Sequence, residues 1–148
     1  MNEADLHFFI DSTINYFDIV THVKPETGIP YLYDGSPIAL EYTGIIGVSG
    51  KRKGSIYLTA TDDLLDTVAN TALGIENPKT EDYKDLIGEI TNTISGNVRQ
   101  AYGDNFLISV PVVIEGVPKD IKLPPEIDSF VIPMKWDKHQ MYLVVCLE

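Results

Sequence analysis

Between Pro78 and Gly103 the chain runs through 24 residues without a proline, and an apolar repeat at helical spacing fills the stretch. Any fold this chain adopts must therefore cover one side of a helix about 33 Å long at 1.5 Å per residue. Thr80 offers an N-cap and Gly103 a stop. On the helical wheel Tyr83, Leu86, Ile87, Ile90, Ile94, Val98 and Ala101 share the face that must turn inward. Asp85, Glu89, Asn92, Gly96 and Arg99 share the opposite face. Three residues apart on that face, Glu89 and Asn92 are neighbours, with about 5–6 Å between their Cβ atoms.

Propensity does not explain this segment. Gly88 and Gly96 each cost roughly 1 kcal/mol relative to alanine in a helix interior, and Thr91, Asn92, Thr93 and Asn97 are indifferent helix formers. Such departures from local consistency mark places where another backbone or a partner comes close. Two readings stand for the glycines: relief of crowding against a sheet, and room for a docked partner. The second suits Gly96 better than Gly88.

The flanking sequence predicts what the helix packs on. Leu6, Phe9, Ile10, Thr13, Phe17 and Val20 recur at three- and four-residue steps and predict a first helix over 2–20. Residues 25–37 hold three prolines and two glycines, with room for a short edge strand at 29–33. Segments 39–48 and 55–60, joined by the glycine-bounded turn 49–54, predict a hairpin. Thr61 caps a short helix with Asp62 and Asp63 in its first turn, and Gly74 can end it. Segments 106–115, 129–135 and 140–147 read as strands, with 136–139 as a turn and 116–128 as a loop. Pro111 cannot donate to a ladder, which places it at an edge or bulge. Grouped helices and runs of consecutive strands predict one α+β domain over 1–148, a largely antiparallel sheet with helices packed on one face.

Charge narrows the partners. Eleven Lys and Arg against 22 Asp and Glu give a net charge of −11, which opposes the phosphate contacts that dominate nucleic-acid binding and the attraction to anionic membranes. No apolar run approaches the roughly 18 residues of a membrane span, and the acidic start MNEADLHFF does not read as a signal peptide, so a cytoplasmic location is expected. The single cysteine, Cys146, lies in an apolar run and reads as a core thiol. His7, His22 and His139 lack close metal-ligand spacing, and no metal site or cofactor is expected in this chain. Lys51-Arg52-Lys53 forms a basic hairpin tip that either steers an acidic partner or solubilises the turn.

The run Gly88-Glu89-Ile90-Thr91-Asn92-Thr93-Ile94-Ser95-Gly96-Asn97 resembles the Glu-x-x-Asn signature helix of the CheX and CheC chemotaxis phosphatases. The resemblance extends to the element order, to Gly28-Ile29-Pro30-Tyr31 and to the strand from Val110 to Gly116. CheC-type members carry two such helices; the helix after Thr61 has no Glu-x-x-Asn, which favours a single-site, CheX-like chain. The resemblance implies dephosphorylation of a phospho-aspartyl, CheY-like response regulator in chemotaxis or a related two-component circuit. It implies that Asn92 positions the attacking water and that Glu89 pairs with the regulator's active-site lysine. It also implies that the magnesium sits in the partner and that two copies join as a homodimer through their sheets. Two rival readings remain at this level. One is a non-catalytic CheC-like module that binds a regulator or switch protein. The other is a sensing domain whose Tyr31, Tyr33, Tyr42 and Tyr57 line a pocket, with Glu89 and Asn92 buried.

Overall fold

The computed structural model describes residues 1–36, 38–117 and 123–148. Helix α1 (Glu3–Thr21) is followed by the short strands β1 (Glu26–Thr27) and β2 (Tyr31–Leu32) and by the hairpin β3 (Tyr42–Gly50) and β4 (Gly54–Ala60). Helices α2 (Asp62–Thr71) and α3 (Thr80–Tyr102) come next, then β5 (Phe106–Ile108), β6 (Val112–Glu115), β7 (Ser129–Trp136) and β8 (His139–Leu147). All eight strands form one antiparallel sheet in the order β1-β7-β8-β4-β3-β5, with β2 also on β7 and β6 also on β3. The α+β reading with an antiparallel sheet is borne out.

Strand alternation decides the two faces of the sheet. Ile56, Leu58 and Ala60 of β4 and Met141, Leu143, Val145 and Leu147 of β8 point to the helices, where they meet Phe9 and Phe17 of α1, Leu64 and Val68 of α2, and the apolar stripe of α3. Their alternates, Tyr57, Val131 and Val144, form a smaller cluster on the other face with Tyr33, Ile38 and Leu123 against it. There Tyr57 donates its hydroxyl to the Ile38 carbonyl at 2.9 Å, and the Leu40 amide donates to Thr59 Oγ1 at 2.7 Å, so residues 38–40 are tied down onto the sheet. Cys146 is a buried free thiol beside Ser129, as its apolar context predicts.

Local chemistry sets the element ends. The Asn2 side chain accepts from the Asp5 amide while the Asp5 carboxylate accepts from the Asn2 amide, which satisfies two donors at the start of α1. Thr61 caps α2 through the Leu64 amide at 3.1 Å. Helix α3 starts one residue earlier than Thr80 suggests: its N-cap is Lys79, whose amide donates to Asp82 Oδ2 at 2.9 Å. The turn between β7 and β8 is the pair Asp137-Lys138, both with positive φ, the geometry of a two-residue hairpin turn. The single strand expected over 106–115 is instead two, β5 and β6, lying end to end on the free side of β3. They part at Ser109–Pro111, where proline has no N–H to give and the Ser109 hydroxyl accepts from the Gly47 amide at 2.9 Å. The expected edge strand at 29–33 is present as β2, and residues 118–122 of the loop expected at 116–128 lie outside the described residues.

Of the basic run at the β3–β4 tip, Arg52 is structural. Arg52 pairs with Asp5 at 3.4 Å, donates to the Glu148 carbonyl at 2.7 Å and lies over the Tyr102 ring at 5.5 Å. Tyr102 in turn donates its hydroxyl to Asp5. One cluster therefore joins the start of α1, the end of α3, the hairpin tip and the last strand, while Lys51 and Lys53 stay exposed.

Candidate active site on helix α3

Helix α3 lies across β3 and β4 with α1 and α2 packed against it. Leu86, Ile87, Ile90, Ile94 and Val98 are buried, as their spacing requires, whereas Ala101 is exposed. The buried face is wider than the apolar stripe: Gly88, Thr91 and Ser95 are buried as well. A Cβ at Gly88 would lie 3.2 Å from the Val113 side chain, so Gly88 brings α3 down onto β6. Gly96 is different. Among the described residues nothing lies within 4 Å of a Cβ placed there, and none of their packing calls for a glycine.

Glu89 and Asn92 are both exposed, side by side on a helix anchored through its opposite face. No hydrogen bond within the described residues engages either side chain, which leaves the Asn92 amide with a donor and an acceptor both available. Asp85 and Arg99 extend the same ridge; the Arg99 Nε donates to the Phe106 carbonyl at 3.1 Å and ties the end of α3 to β5.

Sequence reasoning missed Tyr16. This nearly buried residue of α1 is held up to about 12, first by burial and then by the negative charge of Glu89 nearby. Its place on an amphipathic repeat marks it as inward, but only the packing of α1 on α3 brings it to Glu89. The two helices run antiparallel: Asp5 meets Tyr102 at one end, and Tyr16 approaches Glu89 toward the other. Of the four tyrosines proposed as a pocket lining, Tyr31 and Tyr33 gather near Tyr57 on the sheet face away from the helices, and Tyr42 stands apart from them. Tyr42 packs edge-on against Tyr83 at 5.6 Å on the helix side, while Tyr57 belongs to the opposite face. That arrangement, with Glu89 and Asn92 exposed, disfavours the sensing-domain reading. Among the described residues no three His, Cys, Asp or Glu side chains converge as metal ligands would, and no helix is long and apolar enough to cross a membrane.

The family model "Chemotaxis phosphatase CheX" matches residues 42–135, which span the hairpin, the whole of α3 and the strands beside it. The chain belongs to the chemotaxis phosphatase CheX family. Among solved structures it is similar to a chemotaxis protein CheX from Desulfovibrio desulfuricans, at 28% identity and TM-score 0.87 over 98% of this chain and 99% of that one. It is also similar to a CheC-like superfamily protein from Shewanella, at 26% identity and TM-score 0.88 over 100% and 99% of the two chains. A CheX–CheY–BeF3–Mg2+ complex from Borrelia burgdorferi shares the fold at 21% identity and TM-score 0.76, over 97% of each chain. No curated protein matches the chain's sequence significantly.

Proposed function

We propose that this CheX-family phosphatase acts on a phosphorylated CheY-like response regulator, with Asn92 positioning the attacking water and Glu89 fixing the docking register. The observation that carries the assignment is the geometry of α3. Two polar side chains of the Glu-x-x-Asn spacing stand exposed, free of hydrogen bonds among the described residues, on a helix locked through its other face. A regulator's aspartyl phosphate needs little covalent help, so positioning of the nucleophile dominates what a partner can add. The Asn92 carbonyl accepts from the water and its NH₂ donates to a phosphoryl oxygen. The water oxygen bonds to phosphorus as the acyl-phosphate P–O bond breaks, releasing inorganic phosphate and the regulator's free carboxylate. Glu89 accepts from the regulator's active-site lysine, a charge-assisted contact that orients more than it transfers protons.

The Borrelia burgdorferi complex, which joins a CheX to a CheY with BeF3 and Mg2+, supports the choice of partner and is consistent with magnesium in the regulator. A cytoplasmic location suits such a partner. A homodimer joined through the sheets is part of the same reading, supported by the apolar edge at β5–β6, where Val110 is 81% and Val112 60% exposed.

The deciding experiment is phosphate release from a panel of phosphorylated CheY-like regulators with wild type and Asn92→Ala in parallel. Acceleration by wild type and its loss in a folded Asn92→Ala variant is the expected result. Wild-type rates from that variant would remove Asn92 from the mechanism, and binding of regulators without acceleration would leave a non-catalytic module.

A further inference from the structure

Beside the Glu89/Asn92 ridge lies a groove of about 520 Å³ between α1 and α3, and nothing in the proposed chemistry uses it. Asp11, Asn15 and Asp18 of α1, Lys24 beyond it, and Asn97 and Gln100 of α3 line it. Neither aspartate has an ion-pair partner among the described residues, so two carboxylates face solvent across the groove against one lysine. From Asn92 to Gln100 is about 12 Å along the helix at 1.5 Å per residue. A standard interface covers about 800 Å² per partner, a disc of roughly 16 Å radius, so a protein centred on Asn92 also covers the groove. Gly96 stands between the two, its missing side chain serving no contact among the described residues and keeping the surface low from Asn92 to the groove.

We propose that this groove is where the phosphatase selects its regulator: it receives a Lys or Arg side chain from the regulator surface flanking the phosphorylated aspartate. Asp11 and Asp18 supply the charge, and Asn15, Asn97 and Gln100 offer hydrogen bonds around it. The inference rests on the assignment of Glu89 and Asn92 as the docking face. It separates two jobs: α3 carries the reaction that every phospho-aspartyl partner shares, and α1 reads the side chains in which regulators differ.

The test is phosphate release from the regulator that wild type turns over fastest, using Asp11→Asn/Asp18→Asn, an isosteric change at solvent-facing positions, beside Asn92→Ala. The groove variant is expected to raise KM about fivefold at low ionic strength, to leave kcat within about twofold, and to approach wild type as salt screens the pair. Asp18→Lys should raise KM further. An unchanged KM in both groove variants while Asn92→Ala abolishes turnover would overturn the groove alone. Full turnover in Asn92→Ala, or no turnover of any regulator by wild type, would instead overturn the underlying site and this proposal with it.

Discussion

Thr91 of α3 stands directly over Gly44 of β3: a Cβ on Gly44 would lie 2.4 Å from Thr91 Oγ1 and 3.0 Å from the Ile87 carbonyl oxygen. Those two atoms are themselves hydrogen bonded, Thr91 Oγ1 donating to the Ile87 carbonyl at 2.7 Å. The helix that carries Glu89 and Asn92 is thus seated on bare backbone, and its height above the sheet is set by a missing side chain.

Gly44→Ala should therefore lift or tilt α3 and cost about 1–3 kcal/mol, the usual penalty for overpacking a filled core. Thr91→Ala removes Oγ1, but the Thr91 Cβ, 3.2 Å away, and the Ile87 oxygen remain, so the double variant should recover part of the loss and no more. Denaturant unfolding followed by the sole tryptophan, buried Trp136, measures this. Additive single-variant losses would show that the two residues are not coupled.

The Asp5–Arg52–Tyr102 cluster predicts an acid-sensitive fold. Burial alone would raise the Asp5 carboxyl, but hydrogen bonds from Tyr102, the Asn2 amide and Arg52, with the guanidinium charge, outweigh it and hold the group below its ordinary value. A carboxyl depressed in the folded state contributes stability that is fully present above the unfolded value of 3.8 and is lost as pH falls through the folded one. Asp5→Asn should lower stability at neutral pH and flatten the decline below pH 4. Stability curves of variant and wild type that stay parallel from neutral pH down through that range would contradict the cluster's role.

Much of this architecture is legible in the residues because it is local. The period of α3 identifies its buried stripe and places Glu89 and Asn92 opposite, and alternation finds the β3–β4 and β7–β8 hairpins. What escapes is whatever depends on two distant segments meeting. Gly88, Thr91 and Ser95 carry no apolar signal, yet they are buried because Gly44 and β6 come up beneath them. Arg52 reads as one of three tip cations until the start of α1 and the end of α3 bring Asp5 and Tyr102 to it. A strand over 106–115 is correct in its ends and wrong in its middle, because Pro111 breaks a ladder whose partner, β3, is more than 50 residues earlier. The glycine in β3 is the one signal that could have exposed the seat of α3, since glycine inside a strand marks close backbone approach.

The Tyr16–Glu89 approach can be read spectroscopically. Tyr16 is raised from an ordinary 10.0 to about 12, by burial first and by Glu89 second. A tyrosine raised in the folded state stabilises fully below the unfolded value, and that contribution is lost as pH climbs through the folded one, here between about 10 and 12. Glu89→Gln should shift the Tyr16 phenol downward while leaving it above 10, because its burial persists. The difference in phenolate absorbance between each protein and its Tyr16→Phe counterpart isolates the group. An unmoved midpoint would mean that the carboxylate does not face Tyr16. The same variant should bind regulator more weakly at unchanged stability, since Glu89 is exposed and a surface substitution of this kind usually stays within about 0.5 kcal/mol.

The β5–β6 edge supports a last prediction about assembly. On the side away from β3 these strands have no partner among the described residues, and Leu107, Val110 and Val112 are exposed there. An unpaired apolar edge invites another strand, and a second copy offers the same edge in the antiparallel sense that a two-fold axis produces. A lysine on such an edge blocks pairing by placing an unpaired charge in the seam. Val112→Lys should therefore convert a dimer into a monomer in sedimentation velocity. Turnover per chain should persist, because Glu89 and Asn92 come from one chain and both are exposed on α3. A dimer that Val112→Lys leaves intact would place the assembly surface elsewhere, and a monomeric wild type would remove the homodimer from the reading.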